Sequence, residues 1–60
     1  MDKFELKDKL VNISDQISEM ISDLMEKGCQ DIETGSIRAD VCRSLESMRE
    51  NVKMKIYGIY

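Results

Sequence analysis

Histidine and proline are missing from this 60-residue chain, and glycine (three), cysteine (two) and aromatic residues (one Phe, two Tyr) are scarce. Without His, no nucleophile stands beside an imidazole base, and a zinc site built on Cys29 and Cys42 would have to draw ligands from two chains. Two cysteines are also too few for the disulfide framework of a small secreted domain, so both are read as reduced thiols in the core or a loop. No phosphate-binding loop occurs, and the acids do not follow the D-x-D-x-D-G spacing of a calcium loop. Sixty residues in two helices could not enclose a pocket for chemistry. The chain is therefore expected to be non-enzymatic, with no catalytic residue, metal or cofactor. No apolar run is long enough for a membrane span or a signal h-region, which predicts a cytoplasmic protein with no membrane partner.

What is present is a periodic apolar set in a chain with 35% charged and 42% hydrophobic residues, the composition of a soluble helical protein. Leu6, Leu10, Ile13, Ile17, Met20 and Leu24 step 4, 3, 4, 3, 4, a coiled-coil seam filling most of the first half. Phe4, Val11, Ile21 and Met25 widen the stripe. Glu5, Asp8, Asn12, Asp15, Gln16, Glu19, Ser22, Asp23 and Glu26 make an acidic outer face. Asp2 is a natural N-cap, and Glu5 with Lys9 is a favourable i,i+4 pair.

Ile37, Val41, Leu45, Met48, Val52, Ile56 and Ile59 form the second apolar set, with steps closer to an 11-residue repeat. Asp40–Arg43, Glu46–Arg49 and Glu50–Lys53 are spaced for i,i+3 pairs. Gly28 suits the C′ position of the first helix, Gly35 offers another stop, and Thr34 or Ser36 suits the second N-cap. The boundaries predicted are helix 1 over about 2–28, a turn over about 29–36 and helix 2 over about 37–57, in one domain spanning 1–60.

The fold class that follows is all-α: an antiparallel two-helix hairpin in which Leu24 lies opposite Val41, Met20 opposite Leu45, Ile17 opposite Met48 and Ile13 opposite Val52. A chain this short buries only about 60% of its unfolded surface. Phe4, Val11, Ile21 and Met25 on helix 1, and Ile37, Cys42 and Tyr60 on helix 2, also remain outside the seam, so association is the natural remedy. A homodimeric four-helix bundle covers them, as would a heterologous protein partner. The predicted interface is Phe4, Leu6, Leu10, Val11, Ile13, Ile17, Met20, Ile21, Leu24, Met25, Val41, Leu45, Met48, Val52 and Ile56.

Net charge is −3, unevenly spread: residues 1–28 carry four Lys against seven acids, and residues 36–60 carry five Lys/Arg against three. Attraction between packed helices accounts for the opposite signs. Folding the hairpin gathers Lys3, Lys7, Lys9, Lys53 and Lys55 with Tyr57 and Tyr60 at the open end, a candidate contact for an anion or nucleic acid. The turn end gathers Asp23, Glu26, Asp31, Glu33 and Asp40. Hairpins paired with their turns at opposite ends would set acidic against basic ends.

Ala39, Asp40, Val41, Cys42, Ser44 and Leu45, in the run A-D-V-C-R-S-L, resemble the start of the second helix in the Rop family of plasmid copy-number RNA-binding proteins. The resemblance covers six positions of sixty. It implies an antiparallel dimer forming a four-helix bundle, and binding of paired RNA loops by the first helices. Asp8, Asp15, Glu19 and Glu26 depart from a basic RNA-binding face, and Lys3, Lys7 and Lys9 occupy only the first turns. The leading functional expectation is accordingly a regulatory or adaptor protein acting by helix-mediated protein–protein contact. The alternative is a Rop-like binder of structured RNA.

Overall fold

The computed structural model describes residues 1–59. Two helices, α1 (Lys3–Glu26) and α2 (Ile32–Ile59), pack against each other. At about 1.5 Å per residue α2 is about 42 Å long, and the molecule measures 46 × 15 × 14 Å, so the helices lie side by side along their lengths. A five-residue connection, 27–31, makes them antiparallel.

Each helix starts on an aspartate. Asp2 is in the extended conformation, and its carboxylate accepts the Glu5 N–H at 2.8 Å. Asp31 does the same for α2: Oδ1 accepts the Thr34 N–H at 2.7 Å, and its carbonyl accepts the Gly35 N–H at 3.1 Å. The second cap is thus Asp31, not Thr34 or Ser36, and the turn closes five residues earlier than 29–36. Asp at an N-cap satisfies an orphan N–H with a charged acceptor, which outweighs the roughly 1 kcal/mol that a glycine costs inside a helix. Gly35 lies within α2 against Cys29, to which an added Cβ would be 3.8 Å distant. Hydrogen bonds from the Thr34 hydroxyl and then its backbone N–H hold the Asp31 carboxyl below its ordinary value.

The end of α1 is closed differently from the glycine stop that its sequence suggests. Lys27 is extended, and no glycine adopts a positive φ among the described residues. Instead Arg38 reaches across from α2, and its Nη1 donates to the Lys27 carbonyl at 2.6 Å and, at the limit of bonding, to that of Leu24 at 3.5 Å. A cation at a helix C-terminus also suits the macrodipole.

The line of contact is shifted from the predicted seam. On α1 the covered positions are Lys7, Leu10, Ser14, Ile17 and Ile21, with Ser18 beside them under Arg49; on α2 they are Gly35, Arg38, Cys42, Leu45, Arg49, Val52, Ile56 and Ile59. Both sets step alternately by 3 and 4, a heptad seam on α2 as well rather than an 11-residue one. Ile17, Cys42, Ile56 and Ser14 are the buried residues. Leu6, Ile13, Met20, Leu24, Val41 and Met48 are not enclosed by the hairpin, and Ile21 belongs to the seam instead of a second surface. Two of the four buried residues on the contact line, Ser14 and Cys42, are small, and Ile13 and Val41 stand beside them on its flank.

Of the three i,i+3 pairs, only Asp40–Arg43 forms among the described residues, at 3.8 Å and well exposed. Arg49 donates to Ser18 Oγ across the hairpin at 3.1 Å instead of pairing with Glu46.

Candidate interaction site

Two faces flank the seam, and helix geometry says which residues share them. In an antiparallel pair, the same rotational offset from the contact line on both helices points to the same side of the plane through their axes. One residue before the seam positions come Leu6, Ile13 and Met20 on α1, with Ile37, Val41 and Met48 on α2; Leu24, the next step of the α1 contact line after Ile21, borders them at the turn end. These seven apolar side chains are between 38% and 58% exposed. The neutral or cationic residues Lys9, Gln16, Thr34, Ser44, Asn51 and Lys55 stand among them at the same offset, and of the acids within the two helices Asp23, at the turn end, shares it. With 12 acids in the chain, a face of this size with one of them, at its turn end, is uncommon on a solvated surface.

One residue after the seam positions lies the opposite side of the hairpin. It carries Val11, Asp15, Lys53 and Tyr57, which with Ser14 and Ile56 line an open groove of about 140 Å³. Acids and bases mix here: Asp8, Asp15, Glu46 and Glu50 against Arg43 and Lys53. The hairpin is therefore two-sided, with an apolar face and a charged, grooved face.

The predicted lysine and tyrosine cluster is divided between these faces. Lys53 and Tyr57, four residues apart, share the groove. Lys55 is two residues from each, which is about 200° round the helix, and belongs with the apolar face. Lys9 is separated from Lys7 in the same way; Lys7 is half-buried on the seam line, with Lys3 one turn before it. Tyr60 lies outside the described residues. The cations at the open end thus surround the hairpin rather than forming one surface.

The remaining predicted interface residues fall into three groups. Leu10, Ile17, Ile21, Leu45, Val52 and Ile56 hold the two helices together. Leu6, Ile13, Met20, Leu24, Val41 and Met48 form the apolar face, which Ile37 extends although it is absent from the predicted interface. Phe4, Val11 and Met25 are exposed away from that face, Phe4 at 71%. Cys29 is half-buried and Cys42 buried, both as free thiols. No group of three or more metal-ligating side chains occurs among the described residues, and no helix is long and apolar enough to cross a membrane.

Arg38, which closes the end of α1, is the residue that sequence reasoning passes over. Its partner carbonyls lie 11 and 14 residues away, so no local spacing signals the contact. Comparisons with family models, with characterised proteins and with solved structures find no match.

Proposed function

We propose that this chain is a small non-enzymatic regulatory or adaptor protein that acts through protein–protein contact, and that its apolar face is where two copies join as a four-helix bundle. The observation that carries the reading is the apolar face formed by both helices on one side of the hairpin, acid-poor with Asp23 at its turn end. Area supports it. A folded monomer of 6.9 kDa is expected to expose about 4,000 Å², and the hairpin exposes 4924 Å². The excess of about 900 Å² is close to the roughly 800 Å² that each partner contributes to a standard interface.

Orientation follows from charge. Lys9 and Lys55 stand on the apolar face near the open end, whereas Asp23, Asp31 and Glu33 cluster at the turn end. Pairing with turns at opposite ends brings unlike charges together, and pairing with turns together does not. A Rop-like function in RNA binding is the second reading, favoured by the run from Ala39 to Leu45. Division of the lysines between two faces weighs against it, as do the acids of α1.

Sedimentation equilibrium tests the dimer. Twice the chain mass is expected at micromolar concentration, with a shift to monomer on Met20→Asp or Val41→Asp, each of which buries an unpaired carboxylate if the face is covered. A compact monomer in the unmodified protein would falsify self-association. Gel-shift titration with structured RNA separates the second reading, for which affinity must fall steeply as salt is raised.

A further inference from the structure

On the side away from the apolar face, α1 and α2 are joined at the bottom of a groove by Ser14 and Ile56, 6% and 9% exposed. Val11 and the largely exposed Tyr57 are its apolar walls, and Asp15 on α1 and Lys53 on α2 stand on its two rims. The rim charges are opposite, yet they form no ion pair with each other, and Lys53 does not form the pair with Glu50 that their spacing allows; Asp40–Arg43 is the ion pair found among the described residues. The groove therefore combines an apolar floor and walls with one uncommitted cation and one uncommitted anion.

Its volume is about 140 Å³, well below the roughly 300–1,000 Å³ of sites for drug-sized ligands. The space suits one side chain. Asp15 opposes phosphate, so a nucleic-acid backbone gains from one rim and loses at the other. A protein surface can satisfy both.

We propose that the groove docks a helix of another protein, which inserts one large apolar side chain between Val11, Ile56 and Tyr57 and sets a basic residue against Asp15 and an acidic residue against Lys53. The partner helix crosses the groove, its anchor flanked one turn away on each side by charges of opposite sign. Because Val11 and Ile13 are about 200° apart on α1, the groove stays open when the apolar face is covered. The proposal is thus independent of self-association.

The test is an NMR titration of the full chain with alanine-based helical peptides. The first carries a single Leu flanked by Glu four residues before and Lys four residues after; controls replace Leu by Ala, or both charges by Glu or by Lys. Saturating shifts at Val11, Ser14, Ile56 and Tyr57 are expected with the first peptide, with a dissociation constant in the millimolar range appropriate to one anchor. Loss of Leu should abolish them, and either like-charged peptide should bind about three- to fivefold more weakly, the range for exposed pairs. Lys53→Glu should reverse the preference in favour of the double-Lys peptide while leaving the sedimented mass unchanged. Equal binding of every charge arrangement, or no saturation with any peptide, overturns the proposal. Shifts at the same residues on adding an RNA stem-loop and not a peptide would also overturn it, as would shifts that follow dilution of the protein alone.

Discussion

Removing the Arg38 guanidinium should loosen the turn end of the hairpin more than its half-exposed position suggests. The side chain makes a 2.6 Å charged hydrogen bond to the Lys27 carbonyl and a marginal one to Leu24, where α1 has no left-handed glycine to satisfy its last carbonyls. A hydrogen bond to a charged group contributes about 1.5–3 kcal/mol; competition from water at a half-exposed site reduces this, and the dipole adds about 0.3–1 kcal/mol. About 1–2 kcal/mol is the expected loss for Arg38→Ala. With a urea dependence near 1 kcal/mol per molar for so small a chain, the midpoint should fall by about 1–2 M. Helix content followed by circular dichroism at one fixed protein concentration is the assay, since association shifts apparent stability. Arg43→Ala is the comparison, because it removes an exposed 3.8 Å pair with Asp40 and should cost under about 0.5 kcal/mol. Arg38→Lys should recover part of the loss, as a point charge lacking the fork of the guanidinium. Faster hydrogen exchange confined to the last turn of α1 is the local signature. Equal midpoints for Arg38→Ala and Arg43→Ala would refute the capping role.

The glycines give a paired prediction, read by thermal melts. Gly35→Ala should stabilise by about 0.5–1 kcal/mol, since the new Cβ meets Cys29 at an ordinary 3.8 Å. Gly28→Ala should do no harm because that residue has no positive φ, and a loss near 1 kcal/mol would mean that a left-handed cap is needed there. The Asp31 cap predicts a pH effect: its carboxyl is held below 3.8 in the folded state, chiefly by the Thr34 hydroxyl, so its contribution is complete above the unfolded value and fades as pH falls through the folded one. Thr34→Ala should move the Asp31 carboxyl titration, followed by carbon NMR, up towards 3.8; an unmoved titration removes the hydroxyl as the cause.

Helix type and number were legible because apolar residues recur at 3 and 4 throughout both halves, a signal that survives errors in any single position. Asp2 was legible as a cap for the same local reason: the N–H it serves is three residues away. The turn was less so, since Gly28 and Gly35 both signal a stop and only the carboxylate of Asp31 decides between them. The seam was misplaced by about one residue on each helix because hydrophobicity ranks Leu6 and Ile13 above Ser14, and Val41 above Cys42. The structure ranks them in the reverse order, with Ser14 and Cys42 buried and Leu6, Ile13 and Val41 at least 40% exposed. Reading size beside polarity would have put Ser14 and Cys42 on the contact line and released the bulkier residues to form a face of their own. The division of Lys53 from Lys55 was available from spacing alone. Gathering residues by end of the hairpin, without regard to face, concealed it.

With Ile17, Cys42 and Ile56 as its buried apolar residues, the hairpin has little interior to resist opening. For a chain that associates, lifetime then depends on abundance. Were two copies to join as proposed, scarce copies would spend more time open and be cleaved, because proteolysis follows the open population, whereas plentiful copies would shelter one another. Turnover would fall as synthesis rises, giving a threshold in protein level without any dedicated degradation signal.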